Sequence, residues 1–371
     1  MKKSTSNPSR IFAGLCVACA LGLTGYIRFA SKRALAPPPA SESLSQPATS
    51  LPQAATPKIN DFTPVKAFVE TARESEPIAG PGRIFFRYNA VDSHYGKLAF
   101  IEYGHAAPPH FIDALSCEVA YVAGGRGICL KADRGVFTTY TARLFDAKTF
   151  RTLAEVPLQG IPSRCRLSSD GRVAASTVFV SGHSYASIDF TTQTLLMDAA
   201  SGKVLANVED YSVTRDGTPF SNQDFNYWGV TFTPGAKQFY CTLSTNRKHF
   251  LVKADIDRRS ATVIHENVEC PSLSPDGTRI AYKKRFMVNG RIVWQLHILD
   301  LNTGAETPLN ENRSVDDQLE WLDNNRVLYT LPESETSSSA STNIWVSDAD
   351  GRTPPEIFLK KAYSPSVVSI R

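Results

Sequence analysis

One grouping whose residue types could do chemistry is Gly182-His-Ser-Tyr-Ala186, which superficially resembles a Gly-x-Ser-x-Gly nucleophile elbow. An elbow works because a strand turns sharply into a helix and presents the serine over an oxyanion hole. Here Ser187-Ile-Asp-Phe-Thr-Thr-Gln193 follows, rich in β-branched and aromatic residues and without a helical stripe, so a loop between strands is expected. A second grouping consists of oxygen donors: Asp224, Asn226, Glu269 and Asp317. They would suit Ca²⁺ only if four separate segments brought them to one point, since a hard cation takes six to eight oxygens. His94, His105 and His110 are 11 and 5 residues apart, which fits no zinc motif, and the chain has neither HExxH nor an EF-hand loop. No cofactor and no metal site is expected.

Sulfur offers a third possibility. Cys117 and Cys129 flank the turn Ala123-Gly124-Gly125 and, counted outward from Ala123, face one another on adjacent antiparallel strands. In an oxidising compartment the expectation is a cross-strand disulfide, the other reading being two small buried apolar side chains. Cys165, Cys241 and Cys270 fall in different repeats, where buried thiols are expected.

The elements that must position these residues are announced by a repeated phrase, a β-run ending in aspartate. It occurs at Ala142–Asp146, Thr194–Asp198, Leu251–Asp255, Leu296–Asp300 and Ile344–Asp348, with steps of 52, 57, 45 and 48 residues between the aspartates. A second turn signal precedes each one: Gly124-Gly125, Asp170-Gly171, Pro234-Gly235, Asp276-Gly277 and Asn324-Asn325. Such dipeptides tolerate positive φ and close two-residue hairpins. Two interleaved turns at this period mean four short strands per unit, the pattern of a β-propeller blade. The expected architecture is all-β and six-bladed. Blade one takes 83–88 and 97–103, and the others run 114–158, 159–210, 211–266, 267–311 and 312–359. Blade one begins at its second strand, and Tyr363-Ser-Pro-Ser-Val-Val-Ser-Ile370 resembles the inner strand Cys270–Ser274, so the C-terminal strand is expected to complete blade one and close the ring.

Ahead of the repeats, residues 1–36 hold six basic residues and no acid, which leaves the remainder at −2 although the whole chain is formally +4. The folded part is therefore no basic nucleic-acid binder. The apolar run Ile11–Ile27 reads as an export signal or a single transmembrane anchor, and the uncleaved anchor is the reading taken, with membrane contact through this N-terminal segment only. Either reading puts the folded domain in the periplasm or cell envelope. Residues 37–82 read as a Pro/Ala/Ser-rich linker, with one short helix at Val65–Arg73, and residues 83–371 as the propeller.

At Ser272-Leu-Ser-Pro-Asp-Gly-Thr-Arg-Ile-Ala-Tyr282 the sequence resembles the Pro-Asp (PD40, WD40-like) repeat of TolB-type propellers, and Leu167-Ser-Ser-Asp-Gly-Arg172 is a degenerate copy. Residues 83–371 resemble a bacterial family described as TolB-like translocation proteins with a signal peptide. Ala123–Leu130, Phe179–Ala186, Tyr227–Phe232, Val268–Gly277 and Arg313–Trp321 carry the likeness. The resemblance implies a scaffold whose face or channel binds proteins of the cell envelope. Residues 37–82 are too short and Pro-rich for the α/β domain that precedes the propeller in the Tol-system protein, so no role in that system is implied.

Loops that enter the inner strands and loops that join second to third strands gather on one face of a propeller, around the channel mouth. That places Arg164, His183, Ser184, Tyr185, Asp224, Asn226, Trp228, Glu269, Asp316 and Asp317 there, with Ser364 nearby, as a candidate binding rim. The expected function is a non-catalytic envelope scaffold, monomeric, that binds a protein or peptide partner on this face. The alternative is a channel-centred metal-assisted hydrolase, of lactonase type, or a small-ligand receptor.

Overall fold

The computed structural model describes residues 81–105, 107–187, 190–333 and 341–369. They form six sheets, five of them wholly antiparallel, arranged as the blades of a propeller. From the axis outward, blade one is Ala362–Ser369, Pro81–Tyr88, Lys97–Glu102 and His110–Ser116. Blade two is Val119–Ala123, Arg126–Arg134, Thr138–Asp146 and Thr152–Leu158, and blade three is Ile161–Leu167, Val173–Ser181, Thr191–Asp198 and Val204–Asn207. Blade four contains Asn226–Phe232, Gln238–Thr245, Lys248–Asp255 and Ser260–Glu266. Blade five is Glu269–Leu273, Arg279–Val288, Arg291–Asp300 and Glu306–Pro308, and blade six is Glu320–Trp321, Arg326–Pro332, Thr342–Asp348 and Glu356–Leu359.

Both turn signals act as local chemistry demands. Oδ1 of Asp146, Asp198 and Asp300 accepts the backbone N–H groups two and three residues on, plus the hydroxyl of Thr149, Ser201 or Thr303. A side chain that satisfies two turn donors fixes the third-to-fourth strand hairpin. At the other turn, Ser168 and Ser274 donate to Asp170 and Asp276 and accept N–H groups from Arg172 and Arg279. The second strands are buried on both faces because a neighbouring blade covers each side: Ala174–Phe179 and Phe239–Thr245 are continuous buried runs.

Ring closure follows the expectation. The last strand pairs antiparallel with Pro81–Tyr88, with Phe85 opposite Ser366 and Ile84 opposite Val367. It also reaches both neighbouring blades. Val122 N–H donates to Ser366 Oγ (3.1 Å) and Ser364 Oγ donates to Ala120 O (3.0 Å) in blade two, while Val367 N–H donates to Glu320 Oε1 (3.1 Å) in blade six.

Blade four departs from the four-strand pattern. Ser212–Arg215 pairs in parallel with Ser260–Glu266, and Thr218–Phe220 pairs with Ser212–Arg215, so that sheet has six strands. The hairpin turns at Asp216-Gly217, both at positive φ, and is held by Phe220 against Phe225 (5.4 Å) and Phe250 (5.8 Å). Pro219 on the new outer strand removes a donor from the exposed edge, which discourages further pairing.

Cys117 and Cys129 are joined as a disulfide, with Cα atoms 5.3 Å apart. The register differs from the expected one: Ala120 lies opposite Cys129, because the hairpin turns between Ala123 and Arg126. Cys117 lies in the connection from blade one to blade two and folds back over Cys129, so the bridge pins that junction. Cys165, Cys241 and Cys270 are free and buried. A Cys117→Ser/Cys129→Ser double variant is expected to lose about 2–3 kcal/mol in urea unfolding, given a loop of 12 residues. Peptide mapping without reduction should recover the pair linked in the wild type.

The membrane reading is corrected. Among the described residues no helix is long and apolar enough to cross a membrane, because apart from a 3₁₀ turn at Val208–Asp210 their regular structure is strand. The run Ile11–Ile27, the linker before Pro81 and the short helix at Val65–Arg73 lie outside the described residues.

Candidate functional site

Alternate strands of a blade run in opposite directions, so one face of the ring carries the starts of the inner strands and the tips of the second-to-third strand hairpins. The axis beneath that face is not an empty tunnel. Arg166 of blade three and Glu320 of blade six, each 5% exposed, form an ion pair across it. Arg166 also donates to Leu319 O (3.0 Å) and Ser272 Oγ (3.4 Å), and its guanidinium lies 4.6 Å from the Tyr121 ring centroid. Tyr121 Oη donates to Glu320 (3.0 Å), which also takes the closing strand's Val367 N–H. Burial disfavours the Arg166 cation, yet Tyr121 and Glu320 outweigh it and hold the guanidinium protonated. Five segments are thus tied at one buried point.

Above this plug lies the mouth. The loop after Val173–Ser181 tucks Tyr185 inward, 2% exposed, with its ring stacked on Trp228 (4.7 Å) and against Phe179 (4.7 Å). Tyr185 Oη shares a 2.6 Å hydrogen bond with Ser163 Oγ, and its carbonyl accepts Arg285 (2.9 Å). Lys283, fully buried, sits 4.4 Å from the Trp294 ring and 5.0 Å from that of Tyr185, and donates its ammonium to Asp316. Arg164 lies 3.5 Å from the same carboxylate, whose side chain is 38% exposed. Burial opposes the Lys283 charge, but Asp316 and Glu269 more than offset it and keep its pKa above the ordinary lysine value. Burial likewise works against the Asp316 carboxylate, while Lys283 and Arg164 pull its pKa below the usual range. Both groups are therefore ionised at neutral pH.

A partly open hollow of about 260 Å³ sits here, and Arg164, His183, Ser184, Tyr185 and Asp316 line it, joined by Tyr363. The structure does not bring the other expected rim residues to that hollow. Trp228 is fully buried in the aromatic packing. Glu269, also fully buried, accepts Arg285 (2.6 and 3.1 Å) and Trp294 Nε1–H (3.0 Å). Asp317 turns inward from Asp316 and accepts the N–H groups of Gln318 (2.8 Å) and Thr330 (2.9 Å). Asp224 holds Thr245 Oγ1 and the Asn246 N–H, and Asn226 Oδ1 accepts Thr192 N–H (2.8 Å) between blades three and four. The four proposed Ca²⁺ donors are committed to separate structural bonds, and no group of three or more potential metal ligands occurs among the described residues. Ser184 Oγ accepts the Ala186 N–H (3.1 Å), and the described residues around it form a loop and no helix, as expected.

Sequence reasoning missed Lys283, Arg285 and Trp294. A signal existed: Lys283 and Arg285 are two apart on a strand, hence on one face, and Lys283 pairs in register with Glu269.

His249, 7% exposed and 5.7 Å from the Trp228 ring, backs this cluster, and burial pushes its pKa down to about 4. Its folded value lies below the ordinary 6.5, so its contribution to stability is complete above pH 6.5 and is lost as pH falls towards 4. Glu209 acts in the opposite sense, because burial raises its carboxyl to about 8 and folding is favoured on acidification through that range. The expected result is therefore a difference: wild type minus His249→Gln should lose stability steadily between pH 6.5 and 4, read by urea unfolding across that range.

No family model matches the chain, and no curated protein matches it. Solved structures do resemble it in fold. TolB from Acinetobacter baumannii superposes with a TM-score of 0.53 at 18% identity, over 77% of this chain and 66% of that one, so the chain spans just under two thirds of that protein. A structure of a nidogen/laminin complex gives a TM-score of 0.52 at 10% identity, over 78% of this chain and 98% of that chain. A putative TolB from Agrobacterium tumefaciens gives 0.44 at 12% identity, over 75% and 88% of the two chains. At these identities the likeness is one of fold.

Proposed function

We propose that this propeller is a non-catalytic scaffold of the cell envelope that binds a protein or peptide partner at its channel mouth. One observation carries the reading. The hollow beside Tyr185 opens on His183, Ser184 and Asp316, with the largely buried Arg164 behind them, whereas the surrounding acids that a hydrolase would need free are bonded within the protein. Polar groups held on a rigid rim, over an axis closed by the Arg166–Glu320 pair, suit recognition of an inserted group better than turnover of a substrate drawn into a channel. The expected location, periplasm or envelope, is supported by the basic and apolar leader in the sequence and by a disulfide that an oxidising compartment would maintain. In this proposal residues 83–371 are the functional unit, and the linker of residues 37–82 precedes them.

The rival reading, a hydrolase or lactonase at the same mouth, is tested directly. The purified chain is expected to turn over none of a panel of esters, lactones and glycosides, with and without added Ca²⁺. Turnover that disappears in Asp316→Asn while unfolding stays unchanged would overturn the scaffold reading.

A further inference from the structure

The face that carries the mouth also carries most of the exposed apolar side chains. Of eleven exposed large hydrophobics among the described residues, seven sit at or beside the second-to-third strand tips: Val91 and Tyr95 in blade one, Val136 and Phe137 in blade two, Val180 in blade three, and Met287 and Val288 in blade five. Only Leu153 and Val204 lie at the start of fourth strands, on the opposite face. Val136 and Phe137 are 96% and 83% exposed, at the end of a two-stranded finger that nothing in the fold requires to be apolar. In a six-membered ring blades one and two face blades four and five across the axis, so these tips flank the hollow from opposite sides.

Charge points to what would lie between them. Acids of this face are mostly engaged: Glu118 by Arg134, Glu266 by Arg215, Glu269 by Arg285 and Asp316 by Lys283. Arg247 and Lys248, in the blade-four tip, and Arg291, beside Met287 and Val288, have no acidic side chain within ion-pair distance among the described residues. At the hollow Arg164 and the buried Lys283 share Asp316, and Glu118, which also lines it, is held by Arg134.

We infer that this face docks an extended protein segment that carries both acidic and apolar residues. It lies across the mouth, its apolar side chains on the tips of opposite blades and its carboxylates on Arg247, Lys248 and Arg291. This rests on the binding reading above and adds the chemistry of the partner. A side-chain-sized hollow with fixed polar groups between the apolar tips fits a protein segment better than a bilayer surface, which has no side chain to insert there.

The test is selection of phage-displayed random dodecapeptides on the purified full chain, followed by affinity measurement on synthetic copies of the enriched peptides. Acidic and apolar residues should be enriched together, and binding should weaken roughly tenfold or more with Phe137→Asp or with Arg247→Glu/Arg291→Glu, as for hot-spot residues, but not with Leu153→Asp on the other face. Basic or featureless peptides, or enriched peptides unaffected by the tip and arginine variants, overturn the inference. If those peptides are instead lost in His183→Trp/Ser184→Trp, the mouth reading stands and only the tips are excluded. Peptides indifferent to both sets of variants remove both readings. Vesicles of phosphatidylethanolamine and phosphatidylglycerol are run in parallel, and binding to them that Phe137→Asp abolishes would overturn the protein partner in favour of a membrane.

Discussion

Deletion of residues 362–371 is expected to leave a chain that no longer unfolds cooperatively and that aggregates at micromolar concentration. The last strand supplies the innermost position of blade one, so its loss exposes Ile84, Phe85 and Phe86, all 2% exposed or less, along an unpaired edge. It also removes the acceptor of Val122 N–H and one N–H donor to the buried Glu320. An unsatisfied buried group costs about 1–3 kcal/mol, and the exposed apolar edge adds to it, against a whole domain's margin of roughly 5–15 kcal/mol. Near-UV circular dichroism and urea titration read the outcome. The same geometry predicts a rescue: Pro81 pairs with Ser369, so a circular permutant that places residues 362–371 directly before Pro81 should fold. A deletion that retains a cooperative transition would contradict a closed ring.

Arg166→Ala should destabilise the protein by about 3–5 kcal/mol, the usual consequence of stripping one partner from a buried pair. The variant leaves the Glu320 carboxylate with Tyr121 and one backbone N–H, at a point that joins blades two, three, five and six and the closing strand. Arg166→Met combined with Glu320→Leu should recover a substantial part of the loss, because both desolvation penalties then vanish together. Chemical unfolding of Arg166→Met, of Glu320→Leu and of the double variant measures the coupling. Single variants within 0.5 kcal/mol or so of wild type, as surface changes usually are, would mean that the pair does not knit the blades.

These expectations also show why the fold was more legible than the site. The aspartate turns at 146, 198 and 300 were readable because their hydrogen bonds are made within three residues of sequence. Closure was readable because blade one lacked an inner strand and the tail resembled one. The hairpin 212–220 was not, although Asp216-Gly217 is a turn signal, since its parallel pairing to Ser260–Glu266 depends on a strand 48 residues later. For the rim, strand and loop positions grouped Arg164, His183, Ser184, Tyr185 and Asp316, which line one hollow. They did not give depth along the axis, which is why Trp228, Glu269 and Asp317 proved to be buried packing and hydrogen-bonding residues. Asp316 and Asp317 show the difficulty in miniature: adjacent acids, one facing solvent and two cations, the other closed on backbone amides.

The most direct measurement is in-cell photo-crosslinking from a benzoyl-phenylalanine placed at His183, on the mouth, and in a separate strain at Lys203, in an exposed turn on the opposite face. The account predicts one discrete adduct from position 183, its crosslinked peptide acidic and apolar, and none from position 203. No adduct at 183, or the same adducts from both positions, would contradict a partner held at the channel mouth.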